Sequence, residues 1–161
     1  HRADLLRYCL LYRYGGVYVD IKMEFIKPLN EIFTQDNVLY IPKSTLEFGG
    51  CYQGLIATPP CNNIFIELIN HLISIDKQML NHYYLVSCEH FYKLIENQIG
   101  IKSVKSGSYI TPTYNIILFQ EHSDCRLYTD LEPDRYGWCS KILDVNGNPI
   151  MNTRYDDYPW Q

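Results

Sequence analysis

The sequence predicts a single α/β domain built on a mixed β-sheet, and three observations lead there. First, hydrophobic periodicity switches from helical to alternating at Gly15-Gly16. Second, three short apolar runs, Val38–Ile41, Tyr52–Ala57 and Tyr114–Phe119, have the length and the β-branched or aromatic content of buried strands. Third, longer segments with helical spacing lie between those runs. At 161 residues the chain is long enough for one sizeable core.

From Ala3 to Tyr14 there is no Gly or Pro, and Leu5, Leu6, Cys9, Leu10 and Leu11 recur at helical spacing. This predicts an amphipathic helix with Cys9 as a buried thiol. Asp4 and Arg7, three apart, share a face near its start. Gly15-Gly16 ends the helix, because glycine reaches left-handed backbone angles without a Cβ clash. Beyond it a strand is expected over Val17–Ile21. Alternation continues through Phe25, with Val17, Val19, Ile21, Met23 and Phe25 on one face and Tyr18, Asp20, Lys22 and Glu24 on the other. A row of charges on a strand needs partners, and ligands commonly supply them.

Asn30–Phe33 reads as one capped helical turn, and Val38–Ile41 as a strand closed by Pro42. Gly49-Gly50 leads into the strand at Tyr52–Ala57, in which Gly54 marks a bulge or close packing. Pro59-Pro60 ends that strand, and Asn62 or Asn63 caps a helix with the buried stripe Ile64, Leu68, Leu72, Ile75 and Met79. His71 beside this stripe is a structural histidine. Ser87 is expected to cap a second helix running to Gly100, and its adjacent Glu89 and His90 point apart. Lys102–Gly107 is turn-like. After the strand at Tyr114–Phe119, Glu121 and His122 are secondary site candidates if a parallel strand ends there, or an exposed loop otherwise. Asn146-Gly147 between two strand-like runs signals a hairpin.

A net charge of −4 without a basic run argues against nucleic acid or an anionic membrane as the main partner. No apolar run approaches transmembrane length. Six widely spaced cysteines without a C-x-x-C pair make a zinc site unlikely, and Cys125 and Cys139 bridge a loop only under oxidising conditions. The fifteen tyrosines suit a carbohydrate site, because their rings stack on sugar faces and their hydroxyls bond sugar hydroxyls. Compositional drift accounts for them equally well.

The run Ala3-Asp4-Leu5-Leu6-Arg7-Tyr8, then Tyr14-Gly15-Gly16-Val17-Tyr18-Val19-Asp20-Ile21-Lys22, resembles the donor motif of the DXD-containing glycosyltransferases. That family includes yeast initiation-type mannosyltransferases and the clostridial glucosylating toxins. The resemblance implies a GT-A, Rossmann-like domain, here expected to be N-terminally truncated, with any membrane anchor outside this sequence. The donor part covers residues 3–24 and the acceptor part residues 25–161. It further implies a hexosyltransferase that uses a UDP- or GDP-hexose, with a glycan, lipid or protein as acceptor and retention at the anomeric carbon. Asp4, Arg7, Gly15, Gly16 and Tyr18 would contact the donor. Gln53 and Gly54 would stand on the acceptor side. The closing Arg154–Tyr158 run resembles a segment that folds over the donor site, and Pro159-Trp160-Gln161 offers a stacking ring.

The resemblance makes Asp20 the contact for Mn²⁺ or Mg²⁺, a hard cation that neutralises a diphosphate leaving group. One departure stands out. The second acid of the pair is Lys22, which strand alternation would place on the Asp20 face, about 6.5–7 Å along the strand. An ammonium there either contacts the diphosphate or swings aside, with metal dependence weakened. Two other readings stay open: a degenerate transferase that only binds sugar or nucleotide, and an unrelated α/β domain.

Overall fold

The computed structural model describes residues 1–45, 49–83, 85–123 and 139–154. They form a mixed α/β fold with five helices and an eight-stranded mixed sheet. The helices are α1 (Arg2–Tyr14), α2 (Leu29–Ile32), α3 (Ile64–Ser74), α4 (Lys77–His82) and α5 (Val86–Ile99). The strands are β1 (Gly16–Val19), β2 (Met23–Phe25), β3 (Val38–Lys43), β4 (Leu55–Thr58), β5 (Gly107–Tyr109), β6 (Asn115–Ser123), β7 (Cys139–Leu143) and β8 (Pro149–Arg154). The sheet order is β1-β4-β3-β6-β7-β8-β2, with β5 also pairing β6. Antiparallel β1–β4 and β4–β3 pairs and the parallel β3–β6 pair make β1, β3 and β6 run the same way.

Both faces of the central strands are buried, which explains their unbroken apolar runs. Leu39, Ile41, Ile56, Ile116 and Leu118 face a core shared with Tyr8, Phe65, Phe91 and Ile95 of α1, α3 and α5. Their alternates, Val38, Tyr40, Leu55, Ala57, Ile117 and Phe119, face a second core with Ile142, Ile150 and Met151. That second core explains a topological oddity. β1 and β2 lie at opposite ends of the strand order, yet only residues 20–22 join them. Laid flat, six strand spacings would separate them by about 29 Å, whereas the four Cα steps from Val19 to Met23 reach about 14 Å. The sheet therefore curls, and Val19, Met23 and Phe25 pack against the same core.

This curl corrects the expected strand over Val17–Ile21. β1 stops at Val19, and a turn closes with Met23 N–H donating to the Asp20 carbonyl (3.1 Å). Ile21 is 99% exposed at its tip. Asp20 and Lys22 thus do not stand two apart on one strand face, and the 6.5–7 Å spacing drawn from alternation does not apply.

The α1 stripe is also corrected. Arg7, Tyr8 and Leu11 are buried, whereas Leu6, Leu10 and Cys9 are exposed. The helix turns its Asp4-Arg7-Tyr8-Leu11 edge inward because Tyr8 fills the core between Phe65 and Phe91. Other differences are local. The Ile64–Met79 stripe breaks at Ser74, with Ile75 extended and Asp76 accepting from Gln78 N–H to start α4. Met79 is exposed. Asn62 Oδ1 accepts from Ile64 N–H at the start of α3. β6 continues through Glu121 and His122 instead of ending before them. The hairpin at Asn146-Gly147 forms, with only Gly147 at positive φ and Asp144 Oδ1 accepting from the Asn146 and Asn148 amides. Gly100 ends α5 in the left-handed conformation. The Cys125 half of the considered bridge and the Tyr155–Gln161 close lie outside the described residues. No helix among the described residues is long and apolar enough to cross a membrane.

Candidate functional site

The spacing of the first twenty residues puts three charged side chains at one end of the sheet. α1 and β1 run in opposite directions through the Gly15 turn. Going back from Tyr14, Arg7 lies about 10 Å and Asp4 about 15 Å along the helix. Going forward from Gly16, Asp20 lies about 13 Å along the strand. Asp20 therefore arrives level with Asp4 and Arg7, at the carboxyl end of β1.

Arg7 is the hub. Its guanidinium lies 3.5 Å from Asp4 and 3.9 Å from Asp20. Nη1 donates to Gln53 Oε1 (3.1 Å), Nη2 donates to the Tyr18 hydroxyl (3.2 Å), and the group sits 4.2 Å over the Tyr18 ring. Tyr18 in turn donates to Asp20 Oδ1 (2.7 Å). Tyr8 donates to Gln53 Oε1 (2.6 Å), and Ser87 Oγ donates to Asp4 Oδ2 (3.3 Å). His1 Nδ1 lies 3.3 Å from Asp4. Arg7 Nε is buried without a hydrogen-bond partner.

Burial opposes the Arg7 charge, but Tyr18, Asp4 and Asp20 together outweigh it and hold the guanidinium above its ordinary value. Burial also raises the Tyr8 and Tyr18 hydroxyls, with the bond to Asp20 adding to the Tyr18 rise. Both phenols are therefore neutral donors. Two carboxylates against one guanidinium leave the Asp4–Arg7–Asp20 cluster at about −1 when all three are ionised. Such a cluster favours cations and sugar hydroxyls over a bare diphosphate.

Asp4, Arg7, Tyr18, Asp20 and Gln53 are thus brought together. Gly15 and Gly16 are not. They sit at the far end of β1, where Gly16 pairs with Thr58. A Cβ on Gly15 (φ +61°) would meet Pro60 N at 2.5 Å, so this glycine serves the chain reversal against Pro59-Pro60. Gly54 has no room for a Cβ under the Tyr52 ring, and its carbonyl accepts from Asp20 N–H (2.8 Å). Lys22 lies in the turn after Asp20, half-buried. Glu121 is buried on the opposite face, accepting from Ser44 Oγ, Thr45 N–H and Ser140 Oγ, while His122 is exposed.

Sequence reasoning missed Tyr8 and Ser87. Ser87 is not a cap but a buried first-turn residue of α5. Tyr8 was legible as the i+4 partner of Asp4; nothing in the sequence linked Ser87 to it.

Residues 1–39 match the glycosyltransferase sugar-binding region containing DXD motif. The match spans Asp4, Arg7, Tyr18, Asp20 and Lys22, and gives this end of the chain a glycosyltransferase-like, sugar-binding character. No curated protein and no solved structure matches the chain.

Families with this motif typically bind a divalent cation. Among the described residues no group of three or more His, Cys, Asp or Glu side chains is arranged to hold one. Asp20 offers one carboxylate, about a third exposed. That fits an ion such as Mg²⁺ held by one or two carboxylates plus ligand phosphates, to which Lys22 adds no ligand.

Proposed function

We propose that this chain is the donor-binding part of a GT-A-type glycosyltransferase that takes a hexose from a UDP- or GDP-sugar. The observation that carries this reading is the convergence of Asp4, Arg7, Tyr18 and Asp20, from two elements, inside the segment with sugar-binding character.

Each residue has a role in keeping with its surroundings. Asp4 and Asp20 accept hydrogen bonds from sugar hydroxyls, and Asp20 would also hold the Mn²⁺ or Mg²⁺ that screens the diphosphate when it is bound. Arg7 orients both carboxylates, and its Nη atoms also serve Gln53 and Tyr18. Lys22 adds positive charge near Asp20 in sequence, which would weaken dependence on the metal without abolishing it. Gln53, the acceptor-side candidate, also fixes Arg7 from the segment just before β4. The acceptor is a glycan, lipid or protein, and transfer proceeds with retention.

A degenerate transferase that binds donor without turning it over is the second reading, favoured by Lys22 at the second acid position. Sugar release from UDP- or GDP-hexoses, assayed with and without Mn²⁺, separates the two. Turnover reduced about 10²-fold by Asp20→Ala supports the enzyme. Tight binding without any release supports the binding module.

A further inference from the structure

The Cys51 N–H donates to the Cys88 carbonyl at 3.1 Å, joining the segment before β4 to the first turn of α5. A single backbone hydrogen bond of this length keeps the two Cα atoms within about 6–7 Å of each other. Disulfides commonly span that separation. Cys51 is buried, Cys88 is half-buried, and the Cys88 thiol is close enough to help burial push the Cys51 thiol up. Cys88 Sγ also accepts from Gln53 Nε2 (3.5 Å), the same Gln53 whose Oε1 holds Arg7 and Tyr8. Cys88 thus lies two hydrogen bonds from Arg7, through Gln53.

We propose that Cys51 and Cys88 form a reversible disulfide, and that its formation loosens Gln53 and the Arg7 network. A peroxide is the oxidant. The Cys88 thiolate attacks one peroxide oxygen and becomes a sulfenic acid as the other oxygen leaves and is protonated to water. The Cys51 sulfur then attacks Cys88 sulfur, the S–O bond breaks, and a second water leaves. Two thiols and one hydrogen peroxide give one disulfide and two waters, with the sulfurs oxidised by two electrons. Cys88 reacts first because it is the more exposed of the two. Joining Cys51 draws its sulfur from Gln53 Nε2, so the amide loses its partner and Oε1 is no longer fixed on Arg7.

The test treats the protein with hydrogen peroxide at pH 8.5, because burial and then Asp4 push the Cys88 thiol up to about 11. Alkylation and non-reducing peptide mapping follow. The expected product is a 51–88 crosslinked peptide that dithiothreitol removes and that is absent in both Cys88→Ala and Cys51→Ala. Its formation should raise Tm by about 5–10 °C. Oxidation confined to other cysteines, the exposed Cys9 and Cys61 among them, with Cys51 and Cys88 alkylated as free thiols, overturns the proposal. A second arm rests on the donor-binding reading: oxidation weakens UDP- or GDP-sugar binding about tenfold, the scale of one hydrogen bond. Equal binding by oxidised and reduced protein overturns the coupling to Gln53. No binding by the reduced protein overturns the donor-binding reading instead, and peptide mapping still decides the disulfide.

Discussion

Two buried polar clusters lie toward the carboxyl ends of parallel strands, and they are built differently. At β1, Arg7 stands between Asp4 and Asp20, tied through Tyr18 and Gln53. At β6, Glu121 takes its hydrogen bonds from two serine hydroxyls and a backbone amide, and the Ser140 and Thr153 hydroxyls lie 2.6 Å apart. The first cluster has two carboxylates, one about a third exposed, and a guanidinium Nε without a partner. The second has a carboxylate whose two oxygens are both occupied. A cluster with spare bonding capacity can take a ligand. One that fastens the β3 end to the β7–β8 hairpin holds the fold. Buried charge alone does not mark a site; the bonds left over do.

Arg7→Ala should have the largest effect on stability. It leaves two carboxylates without their cation, the Tyr18 oxygen without its donor and Gln53 Oε1 with Tyr8 alone, a loss of about 3 kcal/mol in denaturant unfolding after discounting for partly exposed partners. A loss under about 1 kcal/mol would mean that the first cluster is not organised around its cation. Glu121→Ala comes next, at about 2 kcal/mol, because three donors lose their acceptor. It should leave nucleotide-sugar affinity unchanged, and a parallel drop in affinity would erase the contrast between the clusters. Gly15→Ala, strained at φ +61° and pressed on Pro60, should cost about 2 kcal/mol without changing affinity. Gly16→Ala, with open space around it, should cost about half as much.

The smallest effect concerns pH. His90 stacks on His71 at 3.5 Å, and burial, then His71 and Lys93, hold its imidazole down to about 4. The unfolded chain, near the ordinary 6.5, binds the proton first. The contribution is complete above pH 6.5 and fades as pH falls toward 4, by less than about 1 kcal/mol because the ring is partly solvated. His90→Gln should flatten that slope in unfolding measured between pH 7 and pH 4.

Much of this was legible because local rules agreed with the fold. The Gly15-Gly16 break, the runs around Leu39, Ile56 and Ile117, and the Gly100 stop all obey short-range physics. Asp4, Arg7 and Asp20 were legible through the motif in which they stand, and about 15 Å of helix against about 13 Å of strand explains why the fold sets them level. What failed depended on contacts distant in sequence. Leu6, Cys9 and Leu10 of the α1 stripe pointed outward because Arg7 and Tyr8 found partners in Gln53, Phe65 and Phe91, more than forty residues away. Alternation past Val19 failed because curling of the sheet makes residues 20–22 a turn. Ser87 could not be linked to Asp4 from spacing across 83 residues.

The most direct test is UDP- and GDP-hexose affinity of the unmodified chain, Asp20→Asn and Glu121→Ala, measured side by side by titration calorimetry with Mn²⁺ present. The account predicts that one of these donors binds, that Asp20→Asn weakens it about 10²-fold, and that Glu121→Ala leaves it unchanged. Undiminished binding by Asp20→Asn, or an equal loss in both variants, would contradict it.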